Sequence, residues 1–280
     1  MIISGKTKVY GILGDPVQHS QSPVMQNAAF TALGIDAVYV PFHVLPEGLE
    51  EAVAGLKALQ VQGVNVTVPH KEKVCAFVDR LDEEAALIGA VNTIVREGNA
   101  FVGYNTDGLG LVHSLKADLN VDVYQKNVMV LGAGGAARSA IVALAQQGVK
   151  RLTIANRTVD RAQQLVERYQ GSFPGVDFLV SSLTCDALAN VVSEADLIVN
   201  STSLGLSGES FNVIPWHVVR KQSAFYDMIY SAQGTPLVQA ARERGHNSCD
   251  GLGMLIAQGE AAFRLWTGKD PGHAMTRALR

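Results

Sequence analysis

Cysteine is scarce in this 280-residue sequence, and its pattern excludes several kinds of site. The three cysteines, Cys75, Cys185 and Cys249, are odd in number, lie far apart and show no C-x-x-C or histidine-rich spacing. We therefore expect neither a disulfide framework nor a metal site such as zinc. Reduced cysteines are typical of a cytoplasmic protein.

Strong charge and long apolar runs are also missing. Charged residues make up 18% of the chain and the formal net charge is -3, so we expect neither nucleic acid nor an anionic membrane as a partner. No run of about eighteen apolar residues would span a membrane, and the opening Met-Ile-Ile-Ser-Gly-Lys has no signal-peptide core. With 48% hydrophobic residues, the chain is predicted to be a soluble, cytoplasmic protein long enough for two domains.

A glycine-rich turn follows an apolar strand in the middle of the chain. Residues 128–131, Val-Met-Val-Leu, suit a parallel strand that is covered on both faces. Gly132 permits a tight turn, Gly134 lets the backbone approach a pyrophosphate, and Ala137 allows close packing of helix on strand. This G-x-G-x-x-A pattern predicts dinucleotide binding at a helix N-terminus, although a tight structural turn would produce the same pattern.

The next strand, residues 151–155, bears on the choice of cofactor. An NAD site would place an acidic residue after this strand, but the chain has Asn156-Arg157-Thr158 there and Arg161 shortly after. A guanidinium pairs with a 2′-phosphate, whereas a carboxylate would repel it. We therefore predict NADP(H), with the alternative that both arginines are solvated charges at a helix start.

Two hydroxyls precede the first predicted helix. Ser22 suits the N-cap and Pro23 the first helical position, so local helix structure alone accounts for this pair. Ser20 is left over. Two hydroxyls beside free helix amides also make a receptor for a small carboxylate.

A lysine is predicted in an unusual position after the strand Gly63–Val68. Pro69 is expected to open a helix whose first turn carries Lys71. The positive end of the helix dipole would disfavour an ammonium there, as suits a lysine that transfers protons. The alternative is a surface lysine.

Polar residues also lie within or after other predicted strands. Asn92 could serve a turn and Asp107 could be an acid at a helix start. The polar segment 200–206, Asn-Ser-Thr-Ser-Leu-Gly-Leu, follows a parallel strand at the end where open α/β sheets bind ligands.

Nine short motifs, in order, give the chain a resemblance to the shikimate dehydrogenase family over nearly its whole length. In the first half they are Gly-Asp-Pro-Val-x-His-Ser-x-Ser-Pro (14–23), Asn-Val-Thr-Val-Pro-His-Lys (65–71), Gly-Ala-Val-Asn-Thr (89–93) and Gly-Tyr-Asn-Thr-Asp-Gly (103–108). In the second half they are Gly-Ala-Gly-Gly-Ala (132–136), Asn-Arg-Thr (156–158), Thr-Ser-Leu-Gly-Leu (202–206), Asp-Met-Ile-Tyr (227–230) and Asp-Gly-Leu-Gly-Met-Leu-x-x-Gln (250–258).

The resemblance implies an α/β fold with two domains and an active site in the cleft between them. An N-terminal α/β substrate domain would comprise residues 1–104 and 238–280, and a Rossmann-type NADP-binding domain residues 105–237. The implied reaction is the reversible, NADPH-dependent reduction of 3-dehydroshikimate to shikimate, the fourth step in the synthesis of the precursor of the aromatic amino acids. A homodimer is left open.

The resemblance also implies roles for individual residues. Lys71 would donate or accept the proton, paired with Asp107 as the second catalytic residue. The substrate would be bound by Ser20, Ser22, Thr67, Lys71, Asn92, Asp107, Tyr230 and Gln258. The cofactor would be bound by Gly132, Ala133, Gly134, Gly135, Ala136, Asn156, Arg157, Thr158, Arg161, Met228 and Gly251, together with Glu83.

Two positions depart from the family pattern, and three other functions compete with this one. Gln26 stands where the family commonly has histidine, and Ala232 where it has proline. A quinate/shikimate dehydrogenase with relaxed cofactor or substrate preference is the main alternative. An S-adenosylmethionine-dependent methyltransferase is disfavoured by Arg157, and a non-catalytic ligand sensor by the presence of both Lys71 and Asp107.

Overall fold

The computed structural model describes residues 3–206 and 208–280, which form two compact units. The first unit runs to Asp107 and resumes at Leu255, and the second comprises Gly108–Met254. Within the described residues, no helix is long and apolar enough to cross a membrane. In the same part of the chain, no group of three or more His, Cys, Asp or Glu side chains could hold a metal ion.

The first unit contains a six-stranded mixed sheet. Its strands are β1 (Lys8–Gly14), β2 (Ala37–His43), β3 (Gly63–Val66), β4 (Arg80–Leu81), β5 (Thr93–Glu97) and β6 (Ala100–Tyr104). They lie in the order β2-β1-β3-β5-β6-β4, with β5 antiparallel to both its neighbours. Strands β5 and β6 form a hairpin, in which Gly98 adopts the positive φ of 62° that a tight turn requires.

Three helices of the first unit precede the boundary: α1 (Ser22–Ala32), α2 (Leu49–Ala58) and α3 (Glu83–Ile88). Asp82 caps α3 by accepting hydrogen bonds from the amides of Glu84 and Ala85. Helix α4 (Asp107–Ala117) then carries the chain into the second unit.

The second unit contains a six-stranded parallel sheet. Its strands are β7 (Asn127–Leu131), β8 (Arg151–Asn156), β9 (Asp177–Ser182), β10 (Leu197–Asn200), β11 (Ala224–Asp227) and β12 (Ser248–Cys249). The order β12-β11-β10-β7-β8-β9 is the 3-2-1-4-5-6 order of the Rossmann fold read from the other edge. The chain reverses direction across the sheet between β7 and β10, so ligands are expected at the carboxyl ends of these strands.

The remaining helices connect these strands or return to the first unit. In the second unit they are α5 (Gly135–Gln146), α6 (Val159–Tyr169), α7 (Cys185–Val192) and α8 (Pro236–Glu243), and the return is made by α9 (Leu252–Thr267) and α10 (Ala274–Leu279). Each unit has its own buried core. One joins α2 to β1, β3 and β5, and the other joins α7 and α8 to β7, β10 and β11.

The observed division of the chain differs from the expected one. Residues 238–254, which we expected in the first unit, belong to the second because β12 pairs with β11 and α8 packs against both strands. Residues 105–107, expected in the second unit, belong to the first. A strand of two residues is too short for an alternating pattern to reveal it in the sequence.

Two predictions about helix starts are also corrected. No α-helix begins at Pro69: residues 67–72 contain two short turns, and a short 3₁₀ helix follows at Lys73–Ala76. The expected effect of a helix dipole on Lys71 therefore has no structural basis. At α1 the N-cap is Gln21, and Ser22 is already helical.

Candidate active site

The topology of the first sheet brings four of the predicted segments to one edge. The parallel strands β1 and β3 both end there, because Leu13 pairs with Val66. Strand β5 begins there and β6 ends there, because Thr93 pairs with both Asn65 and Tyr104. This edge of the sheet consequently carries the segments 15–23, 67–71 and 105–107 and the residue Asn92.

Lys71 and Asp107 form a close ion pair at this edge. The Lys71 Nζ donates a hydrogen bond to Asp107 Oδ2 at 2.6 Å. The side chain of Lys71 is 15% exposed and that of Asp107 is 6% exposed, so water screens the pair poorly. Asp107 is the first residue of α4, where the helix N-terminus favours a carboxylate.

Asn92 orients the carboxylate of this pair. It is 2% exposed, and its Nδ2 donates to Asp107 Oδ1 at 2.8 Å while Lys71 binds the other oxygen. The Oδ1 of Asn92 accepts from the Thr106 amide at 2.8 Å and from the Thr93 hydroxyl at 2.9 Å. Each oxygen of the Asp107 carboxylate thus has its own donor.

Gln258 reaches the same cluster from α9. Its Oε1 lies 3.3 Å from Asn92 Nδ2, and its backbone carbonyl accepts from the Thr106 hydroxyl at 3.1 Å. Four predicted site residues are therefore brought together in one hydrogen-bonded cluster: Lys71, Asn92, Asp107 and Gln258.

The predicted carboxylate receptor lies at the start of α1. Ser20 Oγ accepts from the Ser22 amide at 3.2 Å. Ser22 is buried near Tyr39, and burial raises the pKa of Tyr39 well above its ordinary value, against a smaller lowering by the Ser22 hydroxyl. Thr67 directly follows β3, and its amide donates to the Leu13 carbonyl at 2.9 Å.

Gln26 is one of the two positions that depart from the family pattern. It is buried, and its side-chain amide donates to the Gly259 carbonyl at 3.0 Å.

The glycine turn of the second unit combines a positive-φ glycine with an open stretch of backbone, as is typical of pyrophosphate-binding turns. Gly132 has a φ of +112°, and a Cβ there would lie 2.7 Å from Ser201 Oγ, so only glycine fits without strain. A Cβ on Gly134 would meet no heavy atom of the described chain within 4 Å, which leaves the backbone open to a ligand. Helix α5 begins at Gly135 and presents its free amides at this turn.

The predicted phosphate-reading residues follow the neighbouring strand β8. Strands β7 and β8 are paired, with Leu131 opposite Ala155. Asn156 Nδ2 donates to the Thr158 carbonyl at 2.8 Å, and Thr158 occupies the N-cap position of α6. Arg157 and Arg161 are both exposed at this helix start. The pairing of β7 with β8 therefore puts the glycine turn and the arginine segment at adjacent strand ends.

Asp227 ties together two further segments of this unit. It is fully buried, and its Oδ1 accepts from Asn200 Nδ2 at 2.8 Å and from the Ile229 amide at 3.1 Å. Desolvation raises the pKa of this carboxyl to about 6, against opposing hydrogen bonds. The loop after β10 and the segment containing Met228 are thereby held at the carboxyl ends of adjacent strands.

Gly251 approaches the Met228 backbone closely. A Cβ on Gly251 would lie 2.4 Å from the Met228 carbonyl oxygen, so this predicted cofactor residue also has a structural reason to be glycine.

Two predicted site residues lie in a different unit from most of their group. Tyr230, predicted to bind substrate, is a half-buried residue of the second unit. Glu83, predicted to bind cofactor, is an exposed residue at the start of α3 in the first unit. No role was predicted for Asn65, Thr93, Thr106 or Asp227, although each lies in one of the family motifs, at or near a strand end.

The fold and these two clusters of residues define a two-domain α/β protein with a dinucleotide-binding fold. Three family models match the chain: "Shikimate dehydrogenase substrate binding domain" at residues 12–94, "Shikimate / quinate 5-dehydrogenase" at 114–206 and "Shikimate 5'-dehydrogenase C-terminal domain" at 251–280. A shikimate dehydrogenase (NADP(+)) from Geobacter metallireducens is 47% identical over 99% of this chain and 97% of that protein.

Solved structures agree with these matches. Shikimate dehydrogenase from Aquifex aeolicus has a TM-score of 0.89 at 39% identity over 100% of both chains. Shikimate 5-dehydrogenase from Thermus thermophilus, in complex with NADP(H) and shikimate, has a TM-score of 0.85 at 34% identity over 98% of this chain and 99% of that chain. The chain belongs to the shikimate dehydrogenase family.

Proposed function

We propose that this protein catalyses the reversible, NADP-dependent interconversion of shikimate and 3-dehydroshikimate in aromatic amino-acid biosynthesis. The observation that carries the proposal is the Lys71–Asp107 pair at 2.6 Å, held by Asn92 in a poorly hydrated position. Family membership supports the proposal, since curated relatives of this chain are named shikimate dehydrogenase (NADP(+)). We also expect the protein to be cytoplasmic, as its three free cysteines suggest.

The Lys71–Asp107 pair supplies the proton chemistry of the proposed reaction. Reduction of a ring carbonyl places negative charge on its oxygen, and the Lys71 ammonium stabilises that charge and donates the proton. In shikimate oxidation Lys71 accepts the hydroxyl proton instead. Asp107 holds the lysine in place, because Asn92 occupies its other oxygen and prevents the carboxylate from turning.

The residues at the strand ends of the first unit are suited to a small hydroxylated acid. We assign the substrate carboxylate to Ser20 and Ser22 at the start of α1, where hydroxyls and helix amides supply donors. Thr67, Asn92, Gln258 and Tyr230 are assigned to the ring and its hydroxyls. These groups offer both donors and acceptors, as a polyhydroxylated ring requires.

The second unit fits a phosphorylated dinucleotide. NADP(H), when bound, supplies the hydride. The open backbone at Gly134 and the amides of α5 suit its pyrophosphate, and the exposed guanidiniums of Arg157 and Arg161 suit a 2′-phosphate. We assign the rest of the dinucleotide to Ala133, Ala136, Asn156, Thr158, Met228 and Gly251, and Glu83 to the same ligand.

Initial rates with two substrates and two cofactors test this proposal. Shikimate or quinate is combined with NADP⁺ or NAD⁺, and the absorbance of the reduced nicotinamide is followed. We expect the highest kcat/KM for shikimate with NADP⁺. A preference for quinate or NAD⁺ would favour the alternative dehydrogenase, whose substrate the second family model also names. No reduction in any combination would refute both.

A further inference from the structure

The side-chain amide of Asn92 works in only one of its two orientations. Its Nδ2 must face the Asp107 carboxylate, because a reversed amide would set an oxygen against a negative charge. Two donors hold its Oδ1 on the other side, the Thr106 amide and the Thr93 hydroxyl. Thr93 is fully buried and belongs to β5, so it contributes to the geometry of the pair from within the sheet.

The Thr93 hydroxyl is itself oriented by a buried amide. It gives its one hydrogen to Asn92, and it accepts from Asn65 Nδ2 at 3.1 Å. The second hydrogen of Asn65 Nδ2 goes to the Asn92 carbonyl at 3.2 Å. Asn65 is 5% exposed and lies directly opposite Thr93 in the sheet. Both hydrogens of the Asn65 amide are therefore used within the protein.

Tyr39 completes the chain of donors. Its hydroxyl donates to Asn65 Oδ1 at 2.7 Å. From Tyr39 through Asn65, Thr93 and Asn92, each side chain donates to the next, and the last donates to Asp107. Such aligned buried hydrogen bonds polarise one another. The series connects β2 to the ion pair through buried side chains.

We propose that Tyr39, Asn65 and Thr93 are positioning residues that fix the Asn92 amide, and through it the carboxylate that holds Lys71. The proposal rests on the proposed function, since it assigns these residues an effect on turnover. Loss of the Thr93 hydroxyl leaves Asn65 without one acceptor and Asn92 without one donor. The Lys71–Asp107 pair is then held less firmly, while the glycine turn of the second unit is unchanged.

Substitutions at Thr93 test this. Thr93→Val keeps the branched shape and removes the hydroxyl, whereas Thr93→Ser keeps the hydroxyl. Thr153→Val, at another buried strand threonine in the second unit, is the matched control. We expect Thr93→Val to lower kcat for shikimate oxidation by about tenfold, as loss of one buried hydrogen bond can do. Thr93→Ser and Thr153→Val should stay within about twofold of the wild type, and the KM for NADP⁺ should be unchanged throughout.

Two results would overturn the proposal: a wild-type kcat in Thr93→Val, or a Thr93→Ser variant as slow as Thr93→Val, which would mean that shape alone matters. If Thr93→Val fails to fold, Tyr39→Phe and Tyr10→Phe decide instead, since these buried tyrosines pair across β1 and β2. Only Tyr39→Phe should then lower kcat, and equal values would refute the proposal. A wild-type protein that does not oxidise shikimate refutes the proposed function instead.

Discussion

At the scale of single residues, Lys71 differs from its neighbour Lys73 in its surroundings. Lys71 is largely buried against Asp107, whereas Lys73 is exposed. We predict that Lys71→Ala lowers kcat by about a hundredfold or more with a much smaller change in substrate affinity, because a proton-transfer group is lost. Lys73→Ala serves as the control and should behave like the wild type. Steady-state kinetics with shikimate give both constants, and an unchanged kcat in Lys71→Ala would contradict the assigned role.

Arg157 is predicted to distinguish the two nicotinamide dinucleotides. Arg157→Ala should raise the KM for NADP⁺ by about tenfold or more and that for NAD⁺ much less, because a charge-assisted hydrogen bond to the 2′-phosphate is lost. Lys150→Ala, which removes an exposed cation before the other end of β8, is the matched control. Equal increases for both cofactors would show that Arg157 does not read the phosphate.

The buried carboxyl of Asp227 makes the stability of the protein depend on pH. Its pKa rises from 3.8 to about 6 on folding, so between these values the folded state binds more protons than the unfolded one. Its contribution to the free energy of unfolding is therefore largest below pH 3.8 and is lost as the pH rises, by about 1.4 kcal/mol per unit.

Asp227→Asn should remove this dependence. In urea titrations, the difference in unfolding free energy between the wild type and the variant should fall as the pH rises from 4 to 7. A difference that stays constant or grows over this range would contradict the raised pKa.

At the scale of elements, we expect two glycines of the turn after β7 to have different roles, Gly132 in stability and Gly134 in cofactor binding. Gly132→Ala should destabilise the protein by about 1–3 kcal/mol, because its φ of +112° and its contact with Ser201 both disfavour a side chain. Gly134→Ala should unfold like the wild type, since its φ is -97° and its Cβ would meet no described atom within 4 Å.

The same Gly134→Ala variant should still raise the KM for NADP⁺, because the added methyl group stands where the backbone meets the pyrophosphate. Urea unfolding and cofactor kinetics measure the two effects separately. If Gly134→Ala binds NADP⁺ normally, the turn is structural and does not bind the pyrophosphate.

The elements also show why sequence patterns predicted some features and missed others. Strand β7 and the turn at Gly132 were predictable, because an apolar run that ends at a glycine pattern is compatible with few local structures. Pro69 was misleading, since its fixed φ suits a turn as well as a helix start. The hydrogen bonds from Thr93 to Asn92 and from Asn65 to Thr93 depend on the register of β3 against β5, which a single sequence does not specify.

At the scale of the whole molecule, the chain builds two units with separate cores and separate sheets. The first carries the Lys71–Asp107 pair and the second the glycine turn. We therefore assign the ring acid mainly to the first unit and the dinucleotide mainly to the second. The predictions for Lys71, Arg157 and Gly134 depend on this assignment.

Hydrogen exchange with each ligand alone tests that assignment most directly. A bound ligand slows the exchange of amides in the segments that it stabilises. With shikimate alone, we predict slower exchange at residues 20–23, 67–71 and 105–107, and with NADP⁺ alone at residues 132–136 and 156–161. Protection by NADP⁺ confined to the first set, or by shikimate confined to the second, would contradict the account.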